Sequence, residues 1–248
     1  MLNALLSLFF WIACVSLLAL LHLVMLLLLV FTFPFDKQRK LLHRQCFWWS
    51  SAIISLNPYW KLRIRGLENA DPKRTYIIVS NHQSLADIVV LYQIRLQFKW
   101  VAKESLFNIP FLGGCLGLCK HIRLKRKDHG SIRDVYREAI GYLRSGMSVL
   151  FFPEGTRSET DEMNPFQSGA FKLAISEKVP VLPIAVSGTR DAIPKGGWVM
   201  RSKVFCDLTV LKPLETAHLR HSDFPQLSET VRSSIAEKLT GSPARKYF

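Results

Sequence analysis

The first 35 residues contain no Asp, Glu, Lys or Arg, and His22 is the only side chain among them that titrates near neutrality. An uncharged apolar stretch of this length is typical of a membrane segment. A cleaved secretory signal would begin with positive charge and carry a shorter apolar run, and this segment has neither feature. We therefore expect the segment to be retained and embedded in a membrane.

Paired cysteines are also missing, because the five cysteines show no CxxC spacing and no paired Cys/His ligand spacing. Their odd number and wide scatter argue against both a disulfide framework and a zinc site. We expect reduced, mostly structural thiols. A metal or redox role for Cys115 and Cys119, which could share a helix face, is the weaker alternative. The full set is Cys14, Cys46, Cys115, Cys119 and Cys206.

The rest of the chain lacks internal repeats, and no Pro/Gly/Ser linker divides residues 60–248. A chain of this kind forms one structural unit. We predict membrane-embedded and interfacial helices over 1–58 and a catalytic domain over 59–248. The last six residues, 243–248, are expected to be untethered.

The apolar segment is too long for a simple upright helix. A straight helix of 35 residues would measure about 50 Å, against about 30 Å of hydrocarbon, so it must tilt, bend or lie partly in one leaflet. Residues 36–60 mix basic and aromatic side chains, which favours a second helix at the level of the lipid headgroups. The alternative is one spanning helix followed by an ordinary core helix.

Acidic residues are scarce, with 19 Asp and Glu against 33 Lys and Arg, and the net charge is +14. Such an excess attracts nucleic acid, anionic lipid or an acidic carrier protein alike. No helix-turn-helix, zinc finger or RNA-binding signature accompanies it, so no nucleic-acid partner is expected. The positive-inside rule places the catalytic domain on the cytoplasmic face, because basic residues follow the apolar segment at Lys37, Arg39, Lys40 and Arg44.

After residue 60 the pattern alternates between short β-rich runs and helical stretches, which predicts an α/β fold. The predicted strands are 62–64, 76–79, 98–101, 121–124, 149–152, 181–186 and 204–210. The predicted helices are 84–96, 130–145, 168–177 and 224–239.

The segment NHQSLAD, residues 81–87, contains a histidine and an aspartate five positions apart. On one helix these would point about 140° apart, so the contact requires His82 in a turn and a helix that begins at Ser84. Asp87 would then accept Nδ1–H, which leaves Nε2 to act as a general base. The alternative is a capping box in which Asp87 only satisfies backbone amides. Ser84 is disfavoured as a nucleophile because it lacks a GxSxG elbow.

An apolar run ends in FFPEGTRS, residues 151–158. Open α/β sheets bind ligands at such carboxyl ends of strands, and the planar fork of Arg157 suits a phosphate. Glu154 could hold Arg157 or accept a substrate hydroxyl; the alternative is a surface turn with a local salt bridge. The predicted binding residues are Glu154, Gly155, Thr156 and Arg157, supplemented by Arg126 and Lys103. Most other nearby cations are expected to meet anionic headgroups or an acidic carrier.

Four blocks in this order resemble the lysophosphatidic acid acyltransferase family (1-acylglycerol-3-phosphate O-acyltransferases) of the glycerolipid acyltransferase superfamily. The blocks are NHQSLAD at 81–87, a basic strand that ends in Arg126, FPEGTRS at 152–158, and VPVLPIAVSGTRD at 179–191; the resemblance extends over about 76–195. It implies a mixed, mostly parallel sheet flanked by helices and no metal.

The same resemblance implies a role for each matching residue. His82 would be the general base with Asp87 as its partner. The acceptor would bind at the turn of Glu154, Gly155 and Arg157, with Arg126 as a phosphate contact and Lys103 nearby. Pro183 would shape the acyl or acceptor pocket.

The activity expected from the resemblance is acylation of the free hydroxyl of 1-acylglycerol 3-phosphate, with acyl-CoA or acyl carrier protein as co-substrate and no cofactor. Lys120, His121 and Arg123 depart from the family's small apolar residues in the second block, which leaves the acceptor headgroup open. One alternative is another acceptor, a lysophospholipid or lyso-aminolipid. A second is a non-catalytic, membrane-bound binder of anionic lipid.

Overall fold

A computed structural model describes residues 2–158, 160, 162–193, 197–201 and 203–240, with only the backbone described at residue 2. The predicted untethered tail, 243–248, lies outside the described residues, as does position 195, where the family resemblance ends.

The chain begins with a helix of 31 residues, α1 (Leu2–Thr32). Among the described residues it is the one helix that is long and apolar enough to cross a membrane. Its inner face buries Phe10, Leu21 and Met25. Its outer face exposes a stripe of large apolar side chains: Leu5, Phe9, Ile12, Leu20, Leu23, Leu27, Val30 and Phe31. This outward apolar face indicates membrane association.

The second helix, α2 (Lys40–Ser55), is amphipathic. It begins at Lys40 and not at residue 36, because the carboxylate of Asp36 accepts the backbone N–H groups of Lys40 and Leu41 at 2.8 and 2.9 Å. Its inner face is buried at Leu42, Cys46 and Ile53, as in a core helix, and its outer face exposes Trp48. The interfacial placement of α2 and the division of the chain at residue 58 stay predictions.

Within the described residues, seven strands form a single sheet in the order β1-β7-β6-β2-β5-β3-β4. All neighbouring pairs are parallel except β6 and β7. The predicted α/β class with a mixed, mostly parallel sheet is confirmed. The strands are β1 (Trp60–Arg65), β2 (Ile77–Ser80), β3 (Phe98–Lys103), β4 (Ile122–Leu124), β5 (Ser148–Phe151), β6 (Val181–Ser187) and β7 (Val204–Val210).

Six further helices follow α2 within the described residues: α3 (Ala86–Leu91), α4 (Leu112–Leu118), α5 (His129–Arg144), α6 (Gly169–Ser176), α7 (Thr189–Ala192) and α8 (Phe224–Thr240). The single helix predicted over 84–96 was wrong. It is the short α3 followed by a 3-10 turn, and Arg95 ends that turn in the left-handed region with φ 55°. The sequence analysis missed α4, whose three glycines give it low intrinsic helix propensity.

The sheet has an apolar core on each face because the side chains of its central strands alternate. Ile78 and Leu150 face one core, which also holds residues of α1 to α4. Ile77 and Val149 face the other, beneath α5, α6 and α8. The sheet is therefore covered on both sides, and ligands can reach it only at its edges.

A buried lysine on β3 ties the two amino-terminal helices to the sheet. The ammonium group of Lys99 donates to the carbonyl oxygens of Gln38, between α1 and α2, and of Cys119, each at 2.6 Å. Burial lowers the pKa of Lys99 to about 8. Nearby, burial and then the charge of Lys99 lower the pKa of His43 on α2 to about 3. His43 is fully buried, with its ring edge-on to Phe47 and Phe98.

We predict that His43 makes the fold sensitive to acid. Its folded pKa of about 3 lies below its ordinary value of 6.5, so the unfolded chain binds the extra proton first. The stability from neutral His43 is present above pH 6.5 and is lost as pH falls toward 3. Urea unfolding in detergent should show that His43→Phe loses about 2 kcal/mol less than wild type between pH 6.5 and 4.5.

A matched control is His218→Phe, because His218 is exposed. That variant should keep the acid sensitivity of the wild type. An equal loss of stability in wild type and His43→Phe would show that His43 is not the source of the acid sensitivity.

Candidate active site

Five parallel strands end at the same edge of the sheet, in the order β6, β2, β5, β3, β4. A polar segment follows each of them: His82 lies after β2, Glu154 after β5, Thr189 after β6, and Arg126 after β4, while Lys103 is the last residue of β3. Carboxyl ends of parallel strands are where open α/β sheets place their ligands. The sheet thus brings together segments far apart in sequence.

The predicted contact between His82 and Asp87 is present. Nδ1 of His82 lies 2.7 Å from Oδ2 of Asp87, whose side chain is fully buried. The imidazole stacks on the ring of Phe152, with centroids 3.9 Å apart and planes 14° from parallel. Nε2 has no hydrogen-bond partner among the described residues. The ring is therefore fixed on one side and open on the other.

Asp87 also satisfies backbone amides at the start of α3, since Oδ2 accepts the N–H groups of Gln83 and Ser84 at 2.7 and 2.9 Å. The capping role and the imidazole contact, which the sequence analysis treated as alternatives, therefore occur together. The other oxygen, Oδ1, accepts the hydroxyl of Thr189. A buried carboxylate with four donors is held in one orientation.

Ser84 does not begin the helix as predicted, because α3 starts at Ala86. Its fully buried hydroxyl donates to the carbonyl oxygen of Ile193 at 2.8 Å and accepts the N–H of Ala86 at 3.2 Å. A hydroxyl engaged in this way is a structural group, which agrees with its rejection as a nucleophile.

Glu154 connects the histidine turn, residues 81–83 after β2, to the anion turn, residues 153–157 after β5. One carboxylate oxygen accepts the backbone N–H of His82 at 2.7 Å, and the other accepts that of Asn164 at 2.9 Å. Burial raises the pKa of Glu154, and these two amides oppose that rise. Glu154 makes no ion pair with Arg157 in the described part of the chain, so the predicted Glu154–Arg157 contact and the local salt bridge were wrong.

A cavity of about 810 Å³ opens at this edge of the sheet. Its lining includes six of the predicted site residues: His82, Lys103, Arg126, Glu154, Gly155 and Thr156. Gly155 has φ +69°, which a residue with a side chain rarely adopts. Lys103 and Arg126 are exposed, and their side chains make no hydrogen bond or ion pair with any residue that the structure describes.

Arg157 and Pro183 do not line this cavity. The half-buried Arg157 precedes Ser158, whose backbone N–H donates to the carbonyl oxygen of His82 at 2.9 Å. Arg157 therefore lies next to the histidine turn, and its part in binding stays a prediction. Pro183 is buried within β6, between β2 and β7, so the pocket-shaping role inferred from the resemblance was wrong for this cavity.

Much of the cavity lining is apolar, and this apolar wall includes Leu18 and Leu21 of α1. His121, one of the three unusual residues of the second block, also lines it. It is buried, its Nδ1 accepts the backbone N–H of Trp100 at 3.1 Å, and burial lowers its pKa. Lys120 and Arg123 point outward instead, with the guanidinium of Arg123 over the ring of Phe107. The departure from the family pattern thus adds one polar group to an apolar wall.

All five cysteines are free thiols. No group of three or more His, Cys, Asp or Glu in the described part of the chain is arranged to hold a metal ion.

The sequence analysis missed three residues that support the site. The buried side chain of Asn81 accepts the N–H and donates to the carbonyl of Val186, each at 2.8 Å, which joins the end of β2 to β6. Thr189 contacts Asp87, and Arg190 donates to the hydroxyl of Ser158 at 3.1 Å. A signal was available, because the triplet Gly-Thr-Arg follows β6 at residues 188–190 just as it follows β5 at 155–157.

A family model described as Acyltransferase matches residues 61–187, which contain His82, Asp87 and the anion turn. The chain belongs to the acyltransferase family. The resemblance to this family that the four blocks carried is therefore confirmed.

Similar acyltransferases support this assignment. The chain is 34% identical over 212 residues to the chloroplastic 1-acyl-sn-glycerol-3-phosphate acyltransferase BAT2 of Brassica napus, with 84% of this chain and 59% of that protein covered. It is also 34% identical over 177 residues to 1-acyl-sn-glycerol-3-phosphate acyltransferase alpha of Mus musculus, with 71% of this chain and 62% of that protein covered. The chain thus spans about 60% of the length of these relatives.

The fold is similar to a solved acyltransferase structure, the 1-acyl-sn-glycerophosphate (LPA) acyltransferase PlsC of Thermotoga maritima. The TM-score is 0.81 at 26% identity, with 97% of each chain covered. The similarity therefore includes the amino-terminal helices as well as the sheet.

We predict that Asp87→Asn reduces turnover by a factor of about 10³ to 10⁴ in an acyl-transfer assay. An amide offers one acceptor oxygen where the carboxylate offers two, so it cannot satisfy all four donors and hold the same imidazole tautomer. The measurement is kcat and KM of variant and wild type in the same detergent. Thermal unfolding should verify that the variant is folded, and a folded variant with wild-type kcat would refute the orienting role of Asp87.

Proposed function

We propose that the protein transfers an acyl chain from an acyl thioester to the free hydroxyl of 1-acylglycerol 3-phosphate, which yields phosphatidic acid. One observation carries this proposal. The buried carboxylate of Asp87 holds Nδ1 of His82, while the ring lines a cavity with a cationic rim and an apolar wall. This combination suits a base, a phosphate and an acyl chain in one site.

In the proposed reaction, Nε2 of neutral His82 takes the proton of the acceptor hydroxyl as its oxygen attacks the thioester carbonyl carbon. The tetrahedral intermediate collapses, the carbon–sulfur bond breaks, and the thiolate leaves and takes up the proton from the imidazolium. The hydrogen bond to Asp87 keeps the proton of the neutral ring on Nδ1. The co-substrate is acyl-CoA or acyl carrier protein, and the reaction uses no cofactor.

The acceptor phosphate is proposed to bind at the rim of the cavity. Lys103 and Arg126 supply exposed cations there, and Arg157 contributes from the adjacent turn. Gly155 and Thr156 bring backbone close to the headgroup, whereas Glu154 holds the turn in place. Positioning the hydroxyl against the carbonyl carbon provides the entropic part of the rate gain.

The membrane helix is proposed to give lipids direct access to the cavity. Leu18 and Leu21 belong to the cavity wall, while the opposite face of α1 is exposed and apolar. Acceptor and product could then exchange with the bilayer without transfer of their chains into water. We propose the cytoplasmic face for this site, because basic residues between 37 and 44 follow the apolar helix.

The two alternative functions are acylation of a different acceptor and non-catalytic binding of anionic lipid. The names of the relatives favour 1-acylglycerol 3-phosphate over other lysolipids. The open side of the His82 ring favours an enzyme over a binder of anionic lipid, because a purely structural cap would not require an imidazole in the cavity.

The decisive experiment incubates the purified protein with lysophosphatidic acid and acyl-CoA or acyl carrier protein, and scores phosphatidic acid. A panel with lysophosphatidylcholine, lysophosphatidylethanolamine and lyso-ornithine lipid tests the acceptor. His82→Ala should reduce kcat by a factor of about 10³ while binding to anionic vesicles is kept. The exposed His218 provides the control His218→Ala, which should keep wild-type activity. Wild-type turnover in folded His82→Ala would contradict the mechanism.

We predict that Arg126→Gln raises KM for lysophosphatidic acid about tenfold or more, because it removes a charge-assisted hydrogen bond to phosphate. The effect on kcat at saturating acceptor should be smaller. Arg137→Gln is a matched control, since Arg137 is exposed on α5 and pairs with Asp134. An unchanged KM in Arg126→Gln would exclude Arg126 from the phosphate site.

A further inference from the structure

Two consecutive residues after β6 contact two different parts of the site, the carboxylate that holds His82 and the segment that follows Arg157. Thr189 is fully buried, and its hydroxyl donates to Oδ1 of Asp87, behind His82. Arg190 donates through Nη2 to the hydroxyl of Ser158 at 3.1 Å, and also to the carbonyl oxygen of Thr160. These contacts join the strand end after β6 to the segments after β2 and after β5.

We propose that Thr189 and Arg190 are positioning residues, Thr189 for the proton-transfer step and Arg190 for binding of the acceptor. Thr189 orients the carboxylate that holds His82, and Arg190 holds the turn that carries Arg157. The assignment rests on the proposed function, because the two roles refer to its chemical step and to its acceptor binding.

Thr189 is the donor to Asp87 that comes from a different strand end. The three donors to Oδ2 come from His82, Gln83 and Ser84, which belong to the same turn as the carboxylate or adjoin it. They can fix the carboxylate within its turn, but they cannot fix that turn against the rest of the sheet. The bond from Thr189 to Oδ1 restrains the carboxylate itself against the strand end after β6, and small misplacements of a catalytic group cost large factors in rate.

Arg190 acts on the neighbouring turn through Ser158. The backbone N–H of Ser158 donates to the carbonyl oxygen of His82 at 2.9 Å, and Ser158 directly follows Arg157. The guanidinium therefore holds the segment that presents Arg157 beside the histidine turn. Loss of the guanidinium should weaken acceptor binding more than it slows proton transfer.

Gly188 fixes where these two residues lie. It has φ +80°, and a Cβ atom at this position would lie 1.8 Å from the carbonyl oxygen of Phe205 on β7. The chain can leave β6 by this route only with glycine at position 188. Thr189 and Arg190 thus occupy a tight corner packed against the next strand.

The first test is Thr189→Val, which keeps the shape of the side chain but removes its hydroxyl. We expect kcat to fall about tenfold or more while KM for lysophosphatidic acid changes less than about twofold. Thr189→Ser should restore most of the turnover because it keeps the hydroxyl. The matched control is Thr216→Val, since the buried hydroxyl of Thr216 donates only to backbone carbonyls of Ala174 and Val179. It should lose stability but keep kcat.

The second test is Arg190→Gln, which we expect to raise KM for lysophosphatidic acid about fivefold or more with a smaller change in kcat. Its matched control is Arg144→Gln, because Arg144 pairs with Glu177 and lies on α5. That variant should keep both constants.

Failure of the inference and failure of the proposed function give different results. If wild type makes no phosphatidic acid, the proposed function fails. If wild type is active but Thr189→Val keeps its kcat, or Thr189→Ser falls as far as Thr189→Val, the role of Thr189 is overturned. If Thr189→Val does not fold, Thr189→Ala replaces it and Arg190→Gln decides independently. Equal effects of Arg190→Gln on kcat and KM would overturn the separation of roles.

Discussion

The site depends on one buried charge. The carboxylate of Asp87 is fully buried, and such a group is stable only when its oxygens are fully hydrogen-bonded. Its four donors come from the imidazole of His82, two amides of the same turn, and the hydroxyl of Thr189. Each bond that stabilises the charge also fixes a part of the site. The same contacts thus stabilise the buried charge and orient the base.

The parallel sheet makes this arrangement possible. Because β2 lies between β5 and β6, three segments separated by many residues end side by side at one edge. Hydrogen bonds connect these segments, among them those from the backbone N–H of His82 to Glu154, from the N–H of Ser158 to the carbonyl oxygen of His82, and from Arg190 to Ser158. The remaining parallel strands, β3 and β4, bring Lys103 and Arg126 to the same edge.

The amino-terminal helices belong to the same structure. Residues of α1 and α2 line the cavity, and Lys99 bonds the connection between these helices to the sheet. A buried ammonium group is costly unless it is paired with acceptors, so this connection is specific rather than a loose tether. Residues of α1 and Phe152, on which His82 stacks, pack in the same apolar core.

Most strands and helices, and the chemical groups of the site, could be predicted from the sequence, whereas α4 and the early end of α3 could not. The alternation of short β-rich runs with helical stretches predicted the strands, and the uncharged apolar stretch predicted α1. The spacing of His82 and Asp87 predicted their contact, because a turn before a short helix is a local geometry that five residues can specify. Glu154 lines the cavity together with His82, but its backbone partners were not predicted.

How the segments meet could be seen only in the folded protein. Glu154 pairs with backbone amides instead of Arg157, Thr189 completes the shell of Asp87, and Pro183 lies away from the cavity. These contacts join positions up to about a hundred residues apart, and they follow from strand order. Strand order is a property of the packed sheet, set by which apolar faces are buried together, and no single segment of the chain encodes it.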